Sequence, residues 1–255
     1  MQRALALLSL VFLAGPAPRA CGGAYSVDPV RIALSARAPL VSMTVRNTGA
    51  EPSVLQVETV SWSQSTGRVT LEPTRDVLAT PPLFTIPPGG TQLIRLGLRR
   101  PADPQRELTY RVILHEVLAP APDTQGMRVA LDVSIPIFVT PLVPGAPSLQ
   151  WHLSRGNPGE LHLDVANSGT AHIRFETLEI EPAGTGRSLA LQDPSAYVLA
   201  NDTRRWTLEL RMPTSPDTVI IRAKTDAGNI ESRVRVENAA APRDATASAP
   251  VAQAP

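Results

Sequence analysis

The chain has 255 residues, 24 basic against 23 acidic side chains for a formal charge of +1, and a single cysteine. Charge this balanced excludes the dense basic face that nucleic-acid binding needs. One thiol excludes an internal disulfide and a cysteine-ligated metal centre. The length accommodates two domains of ordinary size, and 4% aromatic residues beside 26 prolines favour many short strands over long helices.

In chain order, Arg3 precedes an apolar run at 4–14 and then small residues and prolines, the layout of a secretory signal peptide. The run is too short to span a bilayer. Gly22 and Ala24 form a small-x-small site that places the mature start at Tyr25, with residues 1–24 removed; a cut after Ala20 is the other option. Cleavage after Ala24 removes Cys21 and leaves a mature chain without thiols. Cys21 as a lipidation site is the competing reading, against which Pro18, Arg19 and Ala20 lack the usual preceding Leu. No later stretch approaches the ~20 apolar residues of a spanning helix, so no membrane insertion of the mature chain is expected.

From Tyr25 onward apolar residues recur at alternate positions, the period at which a strand turns one face to a core. Val41, Met43 and Val45 show it first. Val45-Arg46-Asn47-Thr48-Gly49 closes that strand in an Asn-Thr-Gly turn, and Val165-Ala166-Asn167-Ser168-Gly169 repeats the design in the second half, with glycines that tolerate left-handed backbone. Further on, Glu116 shares the parity of Tyr110, Val112 and Leu114; it faces inward and needs a partner.

The most regular segment is 127–140, where Val129, Leu131, Val133, Ile135 and Ile137 occupy five successive alternate positions. Pro136 lies among them and cannot donate to a ladder, which points to a strand with one edge partly open. Two uses fit this row: filling the core of its own sandwich, or pairing with another chain along an exposed apolar edge. Pro141, Pro144 and Pro147 follow within seven residues and cannot sustain a ladder, so a domain boundary falls there. The alternation resumes at Leu161, Leu163 and Val165, at Trp206, Leu208 and Leu210, and at Val219, Ile221 and Ala223. Residues 238–255 are Ala, Pro and small polar side chains, unable to offset their ordering entropy by burial. The expected plan is therefore all-β, with domains at 25–142 and 143–237 and a disordered tail.

Several stretches together resemble the periplasmic pilus-assembly chaperones. They are Ser26-Val27-Asp28-Pro29-Val30-Arg31, Pro81-Pro82-Leu83-Phe84, Ile86-Pro87-Pro88-Gly89-Gly90-Thr91-Gln92-Leu93-Ile94-Arg95, Tyr110-Arg111-Val112-Ile113-Leu114-His115-Glu116, and Asn167-Ser168-Gly169-Thr170-Ala171-His172-Ile173-Arg174. The resemblance implies two immunoglobulin-like β-sandwiches in a boomerang arrangement. It implies that the apolar row at 129–137 completes an unfinished pilin sandwich, a form of β-augmentation, and that the guest is handed to an outer-membrane usher. No cofactor is implied.

The family holds the guest's terminal carboxylate with two cations in the interdomain cleft, because paired charged donors fix an anion and with it the register. Arg31 matches the first position; the second, usually Lys, falls at Pro136. This departure resembles the archaic, Csu-like branch, and Arg95 is the candidate replacement, with an ordinary salt bridge as its competing role. The resemblance also assigns Glu116 and Asp226 to an interdomain ion-pair network, although the family's bridging Arg falls at Thr140.

Three other classes compete with this reading. No nucleophile elbow, phosphate loop or carboxylate cluster is present, and His115, His152, His162 and His172 have no metal-site spacing, so neither an enzyme nor a copper-binding protein is expected. A secreted structural or adhesive pilus component is the main alternative. It lacks the expected N-terminal donor extension and disulfide.

Overall fold

The computed structural model describes residues 24–65, 68–118, 129–157, 159–183, 188–190, 196–209 and 216–238. The signal segment, the tail beyond Asn238 and Leu210 lie outside the described residues. Every regular element among them is a strand. The first half carries β1 (Tyr25–Asp28), β2 (Ile32–Leu34), β3 (Leu40–Asn47), β4 (Ser53–Ser65), β5 (Arg68–Pro73), β6 (Val77–Thr80), β7 (Leu83–Ile86), β8 (Thr91–Leu98), β9 (Leu108–Val117) and β10 (Asp132–Val139). The second half carries β11 (Leu149–Arg155), β12 (Glu160–Asn167), β13 (Ile173–Pro182), β14 (Leu189–Ala190), β15 (Tyr197–Val198), β16 (Asp202–Glu209), β17 (Thr218–Thr225) and β18 (Gly228–Glu237).

In the first half a sheet ordered β1-β3-β8-β6 faces one ordered β2-β10-β9-β4-β5, with β7 pairing β4. The alternation explains the layering. Met43, Val45, Ile94 and Leu96 of one sheet and Leu55, Val112, Leu114 and Ile137 of the other are all sealed in one core. A second core gathers Leu153, Leu161, Leu163, Val165, Phe175, Ile180, Val219 and Ile221, on strands ordered β14-β13-β17-β18-β11-β12-β16. No strand lies between Val139 and Leu149, the proline-dense stretch that the sequence marks as a boundary.

The repeated Asn-[Thr/Ser]-Gly motif has the same physical role in both sandwiches. Asn47 is fully buried; its amide donates to the carbonyls of Glu51 at 2.7 Å and Ile86 at 3.1 Å, and its oxygen accepts from Gly49 N at 2.9 Å. Asn167 is 1% exposed and repeats the pattern, donating to Ala171 O at 2.8 Å and Val198 O at 3.3 Å and accepting from Gly169 N at 3.0 Å and Ser148 N at 2.9 Å. Each amide satisfies backbone groups that a turn would otherwise bury unpaired.

Neither glycine uses the left-handed backbone that the turn tolerates; among the described residues the positive-φ glycines are Gly89, Gly159 and Gly228. Gly169 is required by close approach instead: a Cβ there would stand 2.2 Å from Ala146 O and 2.5 Å from Ser148 N, on the connection between the domains.

Replacing either buried asparagine leaves three or more backbone groups without partners. Asn47→Ala and Asn167→Ala are each expected to cost about 2–4 kcal/mol in denaturant unfolding. Because the two sites sit in separate cores, the losses in the double variant should add.

Candidate functional site

Strand β10 pairs with β9 along its whole length, from Asp132 opposite His115 to Val139 opposite Leu108. On its other side it pairs with β2, in parallel, only at Ile137, Phe138 and Val139. Pro136 stands where that second ladder begins. Among the described residues, the segment before it has one neighbouring strand and one open edge, as a residue without an N–H allows.

Burial of the apolar row follows the same division. Ile137 is 0% exposed and Ile135 3%, both inside the first core, whereas Val133 packs only partly against that core and Val129 is 53% exposed. Leu131 is half-buried. The row thus runs off the margin of its sandwich, and Ile135 and Ile137, expected to be offered with the rest, belong to the home core.

Glu116 fixes the emerging end of the row. Its backbone N donates to Leu131 O at 3.0 Å, its Oε2 accepts from Leu131 N at 3.1 Å, and its Oε1 accepts from the Tyr25 hydroxyl at 2.7 Å. It faces inward and is partnered, as its parity requires. Its partners all lie in the first domain, however, so the expected interdomain contact with Asp226 is not made.

The contact between domains is built by other residues. Strand β4 has 13 residues and reaches beyond its own sandwich, carrying Trp62 into a cluster with Phe138, Tyr197 and Leu199, all below 10% exposure. Trp62 and Tyr197 meet edge to face at 5.6 Å. Gln64, two residues on, is 2% exposed and bridges the domains: its amide donates to Tyr197 O at 3.0 Å and its oxygen accepts from Leu199 N at 3.1 Å. Arg111 places its guanidinium 3.9 Å from the Trp62 ring centre; burial lowers its pKa from the ordinary arginine value.

A cleft beside this cluster is lined by Arg31, Phe138, Thr140, His172 and Asp226. Arg31 Nη1 lies 3.1 Å from Asp226 Oδ2. Glu107, on the approach to β9, accepts from His172 Nδ1 at 2.6 Å and from its backbone N at 3.0 Å. Glu107 therefore takes the interdomain place expected of Glu116. Arg95 is not part of the cleft; it is exposed on β8 of the opposite sheet, between Ser42 and Thr80, so Arg31 and Arg95 do not form a pair. Among the described residues no cluster of three or more His, Cys, Asp and Glu side chains is placed to hold a metal ion.

Residues 24–143 match the model of the pili and flagellar-assembly chaperone family, PapD N-terminal domain. The first domain is that of a PapD-like chaperone. Its role lies in pilus assembly, within a family of chaperones rather than enzymes, and a structural pilus component is not favoured. No curated protein sequence matches the chain.

Solved structures share the two-domain fold at low identity. A chain of the CsuC-CsuE chaperone-tip adhesion subunit pre-assembly complex, from the archaic chaperone-usher Csu pili of Acinetobacter baumannii, has a TM-score of 0.61 at 18% identity, covering 84% of this chain and 99% of that one. The E. coli chaperone DraB has a TM-score of 0.56 at 18% identity, covering 86% and 99%. The Pseudomonas aeruginosa CupB2 chaperone has a TM-score of 0.51 at 17% identity, covering 82% and 98%.

Two tyrosines of the chaperone carry a pH signature. Burial, with the bond to Glu116 adding and Ser53 opposing, pushes the Tyr25 phenol up to about 12; burial, with the bond to Asp76 adding and Arg100 opposing, does the same for Tyr110. A folded-state pKa above the unfolded value of about 10 stabilises the native state fully below that pH. The contribution is lost as pH rises towards about 12. Phenolate absorbance should show both groups titrating near about 12 in the native chain and near 10 after unfolding, and Tyr25→Phe should flatten the alkaline loss of stability.

Proposed function

We propose that this chaperone works in the periplasm, lending the open-edged end of β10 to pilus subunits and releasing them to an outer-membrane usher. The observation that carries the reading is the coincidence, on one segment, of an unpaired strand edge with an apolar row that leaves its own core at Val133, Leu131 and Val129. An unpaired edge offers backbone hydrogen bonds, and alternate side chains fill a groove in whatever pairs with it.

The magnitudes suit a reversible carrier. Three aliphatic side chains contribute on the order of 5 kcal/mol when buried, before the costs of association are subtracted. Backbone hydrogen bonds and an anchored carboxylate add to that. Arg31 lies on the rim of the interdomain cleft, a position that supports a role in holding the guest's terminal carboxylate. Asp226 already occupies one of its nitrogens, so the guest shares or displaces that contact. No nucleotide enters the cycle; exchange of one strand for another is sufficient for release.

The family assignment supports pilus subunits as partners, and the segment at 1–24 supports export. The test is co-expression of a candidate pilin with the tagged chaperone in a bacterial periplasm. Val129→Asp and Leu131→Asp should keep the thermal midpoint of the wild type while lowering pilin recovery at least tenfold, whereas Ile135→Asp should unfold the first domain through its core. Full recovery of pilin by both of the first two variants would show that the segment at 129–133 is not the donor.

A further inference from the structure

The two domains meet around one imidazole held between two carboxylates. His172 Nδ1 lies 2.6 Å from Glu107 Oε2, and its Nε2 lies 3.8 Å from Asp226 Oδ2. Its ring is stacked on Phe138 with centroids 3.6 Å apart and planes 9° from parallel, and the Tyr197 ring stands 5.6 Å away. This stacking fixes both nitrogens in direction. The His172 side chain is 13% exposed and that of Glu107 8%.

Three separate segments contribute. Glu107 leads into β9 of the first domain; His172 precedes β13 and Asp226 occupies the turn between β17 and β18 in the second. Asp226 Oδ2 also accepts from Arg31 Nη1 at 3.1 Å, its Oδ1 accepts from Arg174 N at 2.9 Å, and the Arg174 guanidinium sits 6.0 Å from the Tyr197 ring centre.

In the neutral ring the proton belongs on Nδ1, because Glu107 can only accept there. The Nε2 lone pair then points towards a second carboxylate, acceptor against acceptor. Consistent with this, Nε2 is buried and has no hydrogen-bond partner among the described residues. A proton added to Nε2 reverses the interaction: the orphaned acceptor becomes a donor towards Asp226, whose Oδ2 it then shares with Arg31, while Nδ1 keeps its bond to Glu107 in a poorly solvated place. Imidazole is the side chain for which such a proton is available near neutrality.

We infer that His172 is a proton-operated latch between the two domains, in which uptake of a proton at Nε2 draws Asp226 onto the ring and tightens their closure. The added bond exists only in the protonated form. Its stabilisation therefore grows as pH falls and disappears as pH rises. The latch is independent of whether β10 is the donor strand.

The test compares wild type with His172→Gln, which keeps a polar side chain but cannot titrate, and His172→Arg, which carries a permanent cation. Thermal midpoints and radii of gyration from X-ray scattering are recorded at about pH 5.5 and about pH 8, on either side of the imidazole range. Relative to His172→Gln, wild type should gain about 2–4 °C on acidification and become more compact, while His172→Arg should be as compact at the higher pH as at the lower. Identical pH profiles for wild type and His172→Gln would overturn the latch. Should the Gln variant fail to fold, Asp226→Asn supplies the same comparison: it leaves the Glu107 bond in place, and an undiminished acid gain in that variant would equally exclude the proposal.

Discussion

The chaperone's working surfaces depend on the apolar contact that sets one sandwich against the other. Trp62 on β4 and Phe138 on β10 of the first domain meet Tyr197 on β15 and Leu199 just after it in the second, and none of the four has a place in either domain's own core. Burying large aromatic side chains at this joint contributes more than surface charge pairs do. Gln64 adds directionality, because both ends of its amide are satisfied by Tyr197 and Leu199 backbone. Arg31, Thr140, His172 and Asp226 line a defined cleft only because this joint holds the two halves at a given angle.

From that joint outward, β10 changes character along its length. At Phe138 it belongs to the interdomain cluster, at Ile137 and Ile135 to its own core, and at Val133 it is only partly covered, while the apolar row continues ahead of the strand through half-buried Leu131 to exposed Val129. One strand therefore links the hinge, the core and the exposed margin. Glu116 holds the free end in line by closing on both backbone groups of Leu131. A segment with an open edge stays extended when its last turn is tied down, which lowers the ordering cost of pairing with a guest.

Much of this was legible in the residues, and the failures have identifiable causes. Period-two alternation marked Val45, Leu163 and Ile221 as core, and Pro136 marked where an edge opens. Alternation says which side a residue faces, however, and not where the sandwich beneath it stops, so the burial of Ile135 and Ile137 was hidden. Arg95 follows the Pro-Pro-Gly-Gly turn on a strand of the first domain but lies on the sheet opposite the cleft, and sheet membership is a property of long-range pairing. Glu116 has the right parity for an inward carboxylate, yet it sits at the far end of β9 from the second domain. Glu107, at the near end, precedes the strand and shows no periodic signal. The Asn-x-Gly-x-x-His stretch did hold its clue, since Asn167 braces the turn that presents His172.

The reach of β4 has one further implication for how such a molecule changes over evolutionary time. A strand that begins inside one sandwich and ends against the other makes the halves poor interchangeable parts. A replacement second domain would have to bring its own match for Trp62 and Gln64, or the graft would swing loose even with both cores intact. Substitutions on either side of the joint are thus constrained to travel together, and the two domains are inherited as a couple.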